Sequence, residues 1–465
     1  MLIAKYGDRY RWQIMAVISL GIVAGILPSG SFVVALPALL EEFHAGHVEG
    51  QLVITIFMVT NTIAMLPAPW LIERYGMRNC FLWTMALITI TSVLGAISPN
   101  YAFLVVMRGL QGAATGTLMP MGGIVIMRLF EPRHQGRASG IMGLAVTLAP
   151  AVAPTVGGLM VDYWGWRTVW LMPLPFALTA WFTALRYLPI ARESARAPFD
   201  AVSMVLLSLV TLAWLGVVSH LGAGSGSARA WLFGSLAVLV AATAAFYFHA
   251  RSHRSPLIGL DVLTRRRVFM GALITFVLGF SMYGLGYLIP VYFQVVQGLD
   301  ATHAGAALMP GTLALALTFP VAGYLRDVWS GRKTMVLGAA IFVITWLMLG
   351  LLASSLSYAW FVTILMVSRI GHGLANTPVN PAALYGLHGL ALGQASALLS
   401  YVRQLGGVFG IAALAIFVDL RTPMIGSGRG AEIQAYAETF ILVAVVYAVF
   451  SIAIKGLRDT DRKSG

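Results

Sequence analysis

The sequence predicts an all-α integral membrane protein in which two related six-helix bundles flank an inserted helix pair, about fourteen crossings in all. Three observations carry that prediction. Of 465 residues, 59% are hydrophobic and only 10% charged, too few charges to cover a soluble globule, where about 25% is usual. Apolar runs of roughly 18 to 25 residues recur along the chain, each able to cross about 30 Å of hydrocarbon as a helix. Finally, Leu71-Ile72-Glu73-Arg74-Tyr75-Gly76-Met77-Arg78 is echoed by Leu325-Arg326-Asp327-Val328-Trp329-Ser330-Gly331-Arg332-Lys333, and Arg108-Gly109-Leu110-Gln111-Gly112 by Arg369-Ile370-Gly371-His372-Gly373, at closely similar offsets.

The first bundle, residues 1–190, holds runs beginning near Ile14, Leu52, Phe81, Tyr101, Ala138 and Val169. Basic residues precede the run from Ile14 to Leu40, but it is too long for a secretory signal core and lacks a small-residue cleavage site, so it reads as a retained helix. Runs from Ala201 and Trp231 form the inserted pair within 191–267, bracketed by the basic, Pro-containing stretches 186–200 and 251–267. The second bundle, 268–465, has runs from Phe269, Ala304, Thr334, Tyr358, Ala395 and Thr439, the last being short and followed closely by Lys455 and Arg458. Gly224-Ser225-Gly226-Ser227 and the loop from Thr422 to Gln434 read as mobile surface connections.

Lys and Arg set the expected orientation. With both termini cytoplasmic, nearly all loop cations fall inside, leaving Arg167, Arg229, Arg421 and Arg429 outside. The net charge of +13 then reflects topology and contact with anionic membrane lipid, and no nucleic-acid partner is needed. The single cysteine, Cys80, rules out a disulfide framework and a Cys-based metal cluster.

Four further motifs stand in order along the spans: Arg108-x-x-Gln111-Gly112, Pro150-x-x-x-Pro154-x-x-x-Gly158, Trp166-Arg167-Thr168-Val169-Trp170 and Arg403-Gln404-Leu405-Gly406-Gly407. Together they resemble the fourteen-helix drug:proton antiporter branch of the major facilitator superfamily, over essentially the whole chain. The resemblance implies a major facilitator fold, alternating access around a central cavity, export of small amphipathic compounds, proton antiport, and residence in the cell inner membrane. A periplasmic adaptor protein is held open as a partner. No cofactor and no metal are expected.

Each motif has a physical reading beside a plainer one. Glu73, Arg74, Gly76 and Arg78, with their counterparts Asp327, Gly331 and Arg332, place a carboxylate among cations at a helix end, where pairing can hold one conformation and release it in another; the plainer reading is a basic loop obeying the charge bias. Pro69 and Met77 stand where the resembling family has a glycine and a basic residue. Pro150, Pro154, Gly157 and Gly158 give a kinked, small-faced helix able to pack tightly against the opposite half. By resemblance this is the antiporter helix that seals the cavity, although Ala153 replaces the family's glycine; packing alone would also explain the composition.

Arg108 lies inside an apolar helix, where a cation costs about 2.5–3.5 kcal/mol on insertion scales, so it needs protein or water around it. The aspartate that the resembling family carries in its first helix is missing from Leu27 to Pro37, and no span interior contains Asp or Glu; Asp162, Asp200, Asp300, Asp419 and Glu438 lie at ends. Proton coupling therefore falls to His372 or to the edge carboxylates Asp162 and Asp327, though a membrane histidine is more often a packed, hydrogen-bonded residue. Alternatively, Arg108, Arg369 and Arg403 make the cavity electropositive and favour an anionic or zwitterionic substrate. The expected pocket draws Ser29, Phe32, Phe57, Asn61, Gln111 and Met119 from the first half, and Tyr283, Tyr287, Gln294, His372, Asn376 and Asn380 from the second. An enzyme is disfavoured: there is no His-Glu-x-x-His pair, no paired intramembrane aspartates and no phosphate-binding Gly-Lys loop. Two transport readings stay open, an amphipath exporter and a carrier for a defined anionic metabolite.

Overall fold

The computed structural model describes residues 8–189, 198–222, 226–253 and 255–457, and what is described is helical, with short turns. The first half comprises α1 (Asp8–Glu42), α2 (His47–Ala64), α3 (Ala68–Tyr75), α4 (Met77–Ala96), α5 (Tyr101–Leu129), α6 (Gln135–Trp164) and α7 (Leu174–Tyr187). The inserted pair is α8 (Ala201–His220) and α9 (Gly226–Ser252). The second half comprises α10 (Leu260–Thr264), α11 (Arg266–Val295), α12 (Ala301–Ala306), α13 (Met309–Val328), α14 (Gly331–Leu352), α15 (Tyr358–Asn376), α16 (Val379–Leu384), α17 (Gly389–Ile425) and α18 (Arg429–Ser451). The basic residues of 190–197, residues 223–225, Lys5, Arg254 and the cations after Leu457 lie outside the described residues.

Among the described residues, eleven helices are long and apolar enough to cross a membrane, or twelve if α2 and α3, bent by 53°, form one span. Each expected run corresponds to helical chain, though the one from Leu52 crosses the α2–α3 bend, the one from Val169 begins in a 3₁₀ turn ahead of α7, and the one from Ala304 crosses the short break between α12 and α13. The two that miss the hydropathy criterion, α13 and α15, carry Arg326 and Asp327 in one case and Arg369 and His372 in the other, so their low hydropathy comes from the charged and polar groups of the candidate site. Two expectations need correcting: the stretch from Thr422 to Gln434, read as a loop, is helical apart from 426–428, and because α17 runs on to Ile425 and α18 starts at Arg429, Asp419 and Glu438 both sit inside helices, where Arg421 of α17 pairs with Glu438.

The apolar cores divide as the sequence does. One cluster, with Ile18, Phe81, Met85, Leu118 and Ile124, belongs wholly to the first half; another, with Phe293, Phe342, Trp346, Phe361 and Phe440, belongs wholly to the second. The second half owes its tight α11–α17 crossing to glycine: a Cβ on Gly406 or Gly410 would run into the backbone of Phe276 or Phe280. The inserted pair docks on α17 through Leu207, Phe246, Leu398 and Tyr401, with Thr211 Oγ1 and Tyr401 Oη 2.8 Å apart and Trp214 Nε1 donating to the Leu405 carbonyl at 3.3 Å.

Asp200 clips the inserted pair together. It caps α8 by accepting Ser203 N–H at 3.0 Å, takes the Ser203 hydroxyl at 2.5 Å, and lies 3.0 Å from His249 Nε2 of α9. Burial works to raise this carboxyl, but the hydrogen bonds from Ser203 and His249 outweigh it and hold the pKa below the ordinary 3.8. A depressed folded-state value means stabilisation that is present above pH 3.8 and lost as pH falls through the lower folded value. Asp200→Ala is expected to cost about 1–2 kcal/mol through the lost cap, read as a lower thermal midpoint in detergent; an unchanged midpoint would show that the clip is idle.

Candidate functional site

The halves meet at the end of the bundle that carries the basic loops. Here α6 crosses α13 so closely that a Cβ on Gly140 would come within 3.0 Å of the Phe319 carbonyl carbon and of Pro320 Cα, and one on Gly143 would strike the Phe319 ring. Gly136 and Gly323 abut in the same crossing. Nearby, α17 crosses α5, with Ser396 Oγ donating to the Pro120 carbonyl at 2.9 Å, and Gly393 leaves room for Pro69. The Gly136-x-x-x-Gly140-x-x-Gly143 spacing is the small-residue signal that could have revealed the crossing from sequence.

An Asp327 latch closes this end. Its Oδ1 accepts Gly136 N–H at 2.9 Å and its Oδ2 accepts Arg137 N–H at 2.8 Å, so a carboxylate of the second half caps a thirty-residue helix of the first. Arg326 Nη1 donates to Asp327 Oδ1 at 2.9 Å and also to the Pro132 carbonyl across the interface. Gly331 gives room to Arg326, whose Cγ would lie 3.4 Å from an added Cβ. Arg326 is thus a latch residue that sequence reasoning did not single out. The matching motif behaves differently. Glu73 pairs with Arg128 at 2.5 Å and Arg78 donates to the Leu185 carbonyl at 2.8 Å, both inside the first half. Gly76, at φ 80° and ψ 150°, makes the turn between α3 and α4 that a side chain would strain. Arg74 lies in the last turn of α3, and Arg332 stands beside Gly331 at the start of α14.

Beyond the seal lies a cavity of about 200 Å³ between the halves. Of the expected pocket residues, Met119, Tyr283, Asn376 and Asn380 line it, together with Arg403; Met65, Ser139, Met142, Thr147, Phe319, Ser400 and Gln404 also line it and were not foreseen. Phe32, Phe57 and Gln111 instead surround Arg108. That guanidinium is 1% exposed, stacked 4.0 Å from the Phe32 centroid and 4.1 Å from that of Phe57, with Nη1 donating to Gln111 Oε1 at 2.6 Å and Nη2 to the Pro28 carbonyl at 3.2 Å. Gln111 Nε2 continues to Ser92 Oγ at 3.3 Å. The partner absent from the sequence is therefore supplied by two rings, an amide and a backbone carbonyl, none of them charged. Ser29 bonds its own helix at the Ile26 carbonyl, Asn61 is buried, and Tyr287 and Gln294 are exposed on α11.

In the second half Arg403 Nη2 donates to Asn376 Oδ1 at 3.1 Å. His372 is buried, with Nδ1 3.3 Å from Ser281 Oγ and Nε2 without a partner among the described residues. The proline-rich part of α6 packs on its own half: Gly157 faces Ser31 of α1, and Gly30 faces Pro150, Ala153 and Pro154. Gly158 lies against Val34 of α1. Contact with the opposite half comes from the glycines nearer the start of α6. At the far end of the bundle, Glu42 of α1 accepts from Trp166 Nε1 and Arg167 Nη1, both at 2.5 Å, which gives the Trp166-Arg167 motif a bracing role.

Comparison with known proteins agrees with this geometry. The chain is 27% identical over 439 residues to the uncharacterized MFS-type transporter YcnB of Bacillus subtilis, covering 92% of this chain and 93% of that one. It is 28% identical over 431 residues to the tetracenomycin C resistance and export protein of Streptomyces glaucescens, covering 90% and 78%, and 27% identical over 403 residues to a multidrug resistance protein B homolog of Mycobacterium tuberculosis, covering 82% and 74%. In fold it matches the proton:xylose symporter XylE with a TM-score of 0.66 at 14% identity, covering 98% of this chain and 97% of that one. The human organic anion transporter MFSD10 gives 0.65 at 16%, covering 94% and 99%. The Major Facilitator Superfamily profile matches residues 18–411, and the chain belongs to that superfamily.

Proposed function

We propose that this transporter exports small amphipathic compounds by alternating access, driven by proton antiport, from a cell inner membrane with both termini cytoplasmic. The observation that carries the reading is the combination of a cavity between the halves with a latch that joins them at one end through a single carboxylate and two backbone N–H groups. Such a contact is strong enough to hold a state and small enough to be released. With the basic end cytoplasmic, the structure represents the state sealed toward the cytoplasm. Units 1–190 and 268–465 are the rocking halves, and 191–267 travels with the second through its docking on α17. His372 is the proton site in this reading, because it is the histidine among the buried polar residues described and its Nε2 is uncommitted. Relatives named for drug resistance and export support the substrate class.

The test is movement of fluorescent amphipaths of either charge into liposomes holding the purified protein, with an imposed pH gradient and with the gradient collapsed by an ionophore. Gradient-dependent movement that His372→Gln abolishes is the expected result. Movement that ignores the gradient would remove proton coupling, and no movement under either condition would overturn export.

A further inference from the structure

The cavity holds positive charge that nothing around it answers. Arg403 lines it, and the acceptor it finds is one amide oxygen, Asn376 Oδ1 at 3.1 Å. Among the described residues no Asp or Glu lines the cavity, and Glu438, an acid that does fall within α18, is engaged by Arg421. A guanidinium left without a counter-charge at membrane depth is costly, and the cost is removed when a ligand brings the anion. A second, separate observation points to the same place: Asn380 lines the cavity, and its side-chain oxygen is buried with no partner. An orphaned acceptor beside an under-committed guanidinium suits a ligand that carries an acidic group and a hydroxyl or N–H close by.

We propose that the cavity is a binding site for amphipathic organic anions. A carboxylate or sulfonate takes the free edge of the Arg403 fork, which Asn376 holds in orientation, while Asn380 accepts from a donor on the ligand. The apolar body lies on Met119, Tyr283 and Phe319, where thioether and ring surfaces adapt to varied shapes. The substrate thereby supplies the negative charge that the helices lack. This inference rests on the export reading and narrows it to one charge class.

The test compares two probes with the same apolar body and opposite charge, 1-naphthoate and 1-naphthylmethylammonium, by calorimetry on the purified full-length protein. The carboxylate is expected to bind at least about tenfold more tightly than the ammonium, and Arg403→Gln to weaken it by about 10- to 100-fold, the scale of charge-assisted hydrogen bonds. Arg403→Lys should recover part of the loss. Asn380→Leu, which leaves every cation in place, should weaken a hydroxylated naphthoate more than the parent compound. Equal or tighter binding of the ammonium, an unchanged naphthoate affinity in Arg403→Gln, or binding of neither probe would overturn the inference. Gradient-driven movement of cationic dyes by a protein that ignores naphthoate would leave export standing and remove the anion site. Naphthoate binding through Arg403 in a protein that moves nothing would do the reverse.

Discussion

Arg108→Ala is expected to abolish transport and to lower stability by about 2–5 kcal/mol, the range for breaking a buried polar network. The guanidinium ties three helices at one point: α5 carries it, α1 offers the Pro28 carbonyl and the Phe32 ring, and α2 offers the Phe57 ring. Removing it leaves Gln111 Oε1 without its 2.6 Å partner and opens a void between two aromatic faces. A desolvated cation over a ring is worth about 2 kcal/mol or more, and here there are two rings. Arg108→Lys is expected to regain some stability and no transport, because an ammonium is a point charge that cannot lie flat between both rings and reach two acceptors. Phe57→Leu removes one face and keeps the charge, so it should cost less than Arg108→Ala in both readouts. Thermal unfolding in detergent and flux in liposomes measure the two effects; normal flux in Arg108→Ala would take this residue out of the mechanism.

The difference between what the chain declares and what it conceals is visible at the same residue. A cation inside an apolar helix is legible as a site, since nothing else would keep it there. Its partners were not, because a backbone carbonyl that accepts a side chain from another helix and the face of a phenylalanine carry no signature in sequence. The same limit sorted the expected pocket. Hydropathy places spans but is blind to rotation about a helix axis, so Phe32, Phe57 and Gln111 turned out to serve Arg108, while Met119, Tyr283, Asn376 and Asn380 face the cavity. The repeated loops were legible as a pair, yet their unequal roles depend on which helix end comes within 3 Å of each carboxylate. That is a tertiary fact. The glycine spacing at Gly136, Gly140 and Gly143 was readable and was overshadowed by the prolines further along the same helix.

Asp327→Asn is expected to open the sealed end, while Glu73→Gln leaves it closed, although the two acids occupy matching positions. Asp327 presents two anionic oxygens to two backbone N–H groups at 2.9 and 2.8 Å, at the end of a helix where the macrodipole adds attraction. Asparagine keeps the shape but turns an NH₂ toward one of those donors, so an attraction becomes a repulsion. Charge-assisted bonds and the dipole together make the loss about 2–3 kcal/mol, or on the order of 30- to 150-fold in the balance between closed and open states. Glu73 makes a partly exposed pair with Arg128 within its own half, worth about 0–1 kcal/mol and indifferent to how the halves meet. Ser139 lines the cavity behind the seal, and Cys80 is the chain's one cysteine and is buried. A Ser139→Cys reporter in a Cys80→Ser background therefore gives a clean measurement with an impermeant thiol reagent applied from the basic end. Labelling should be at least about tenfold faster with Asp327→Asn and within about twofold of the reference with Glu73→Gln, given those energies. Equal acceleration by both would mean that the first loop also latches the halves. No change with Asp327→Asn would mean that the glycine crossing of α6 and α13 holds the end shut without the charge.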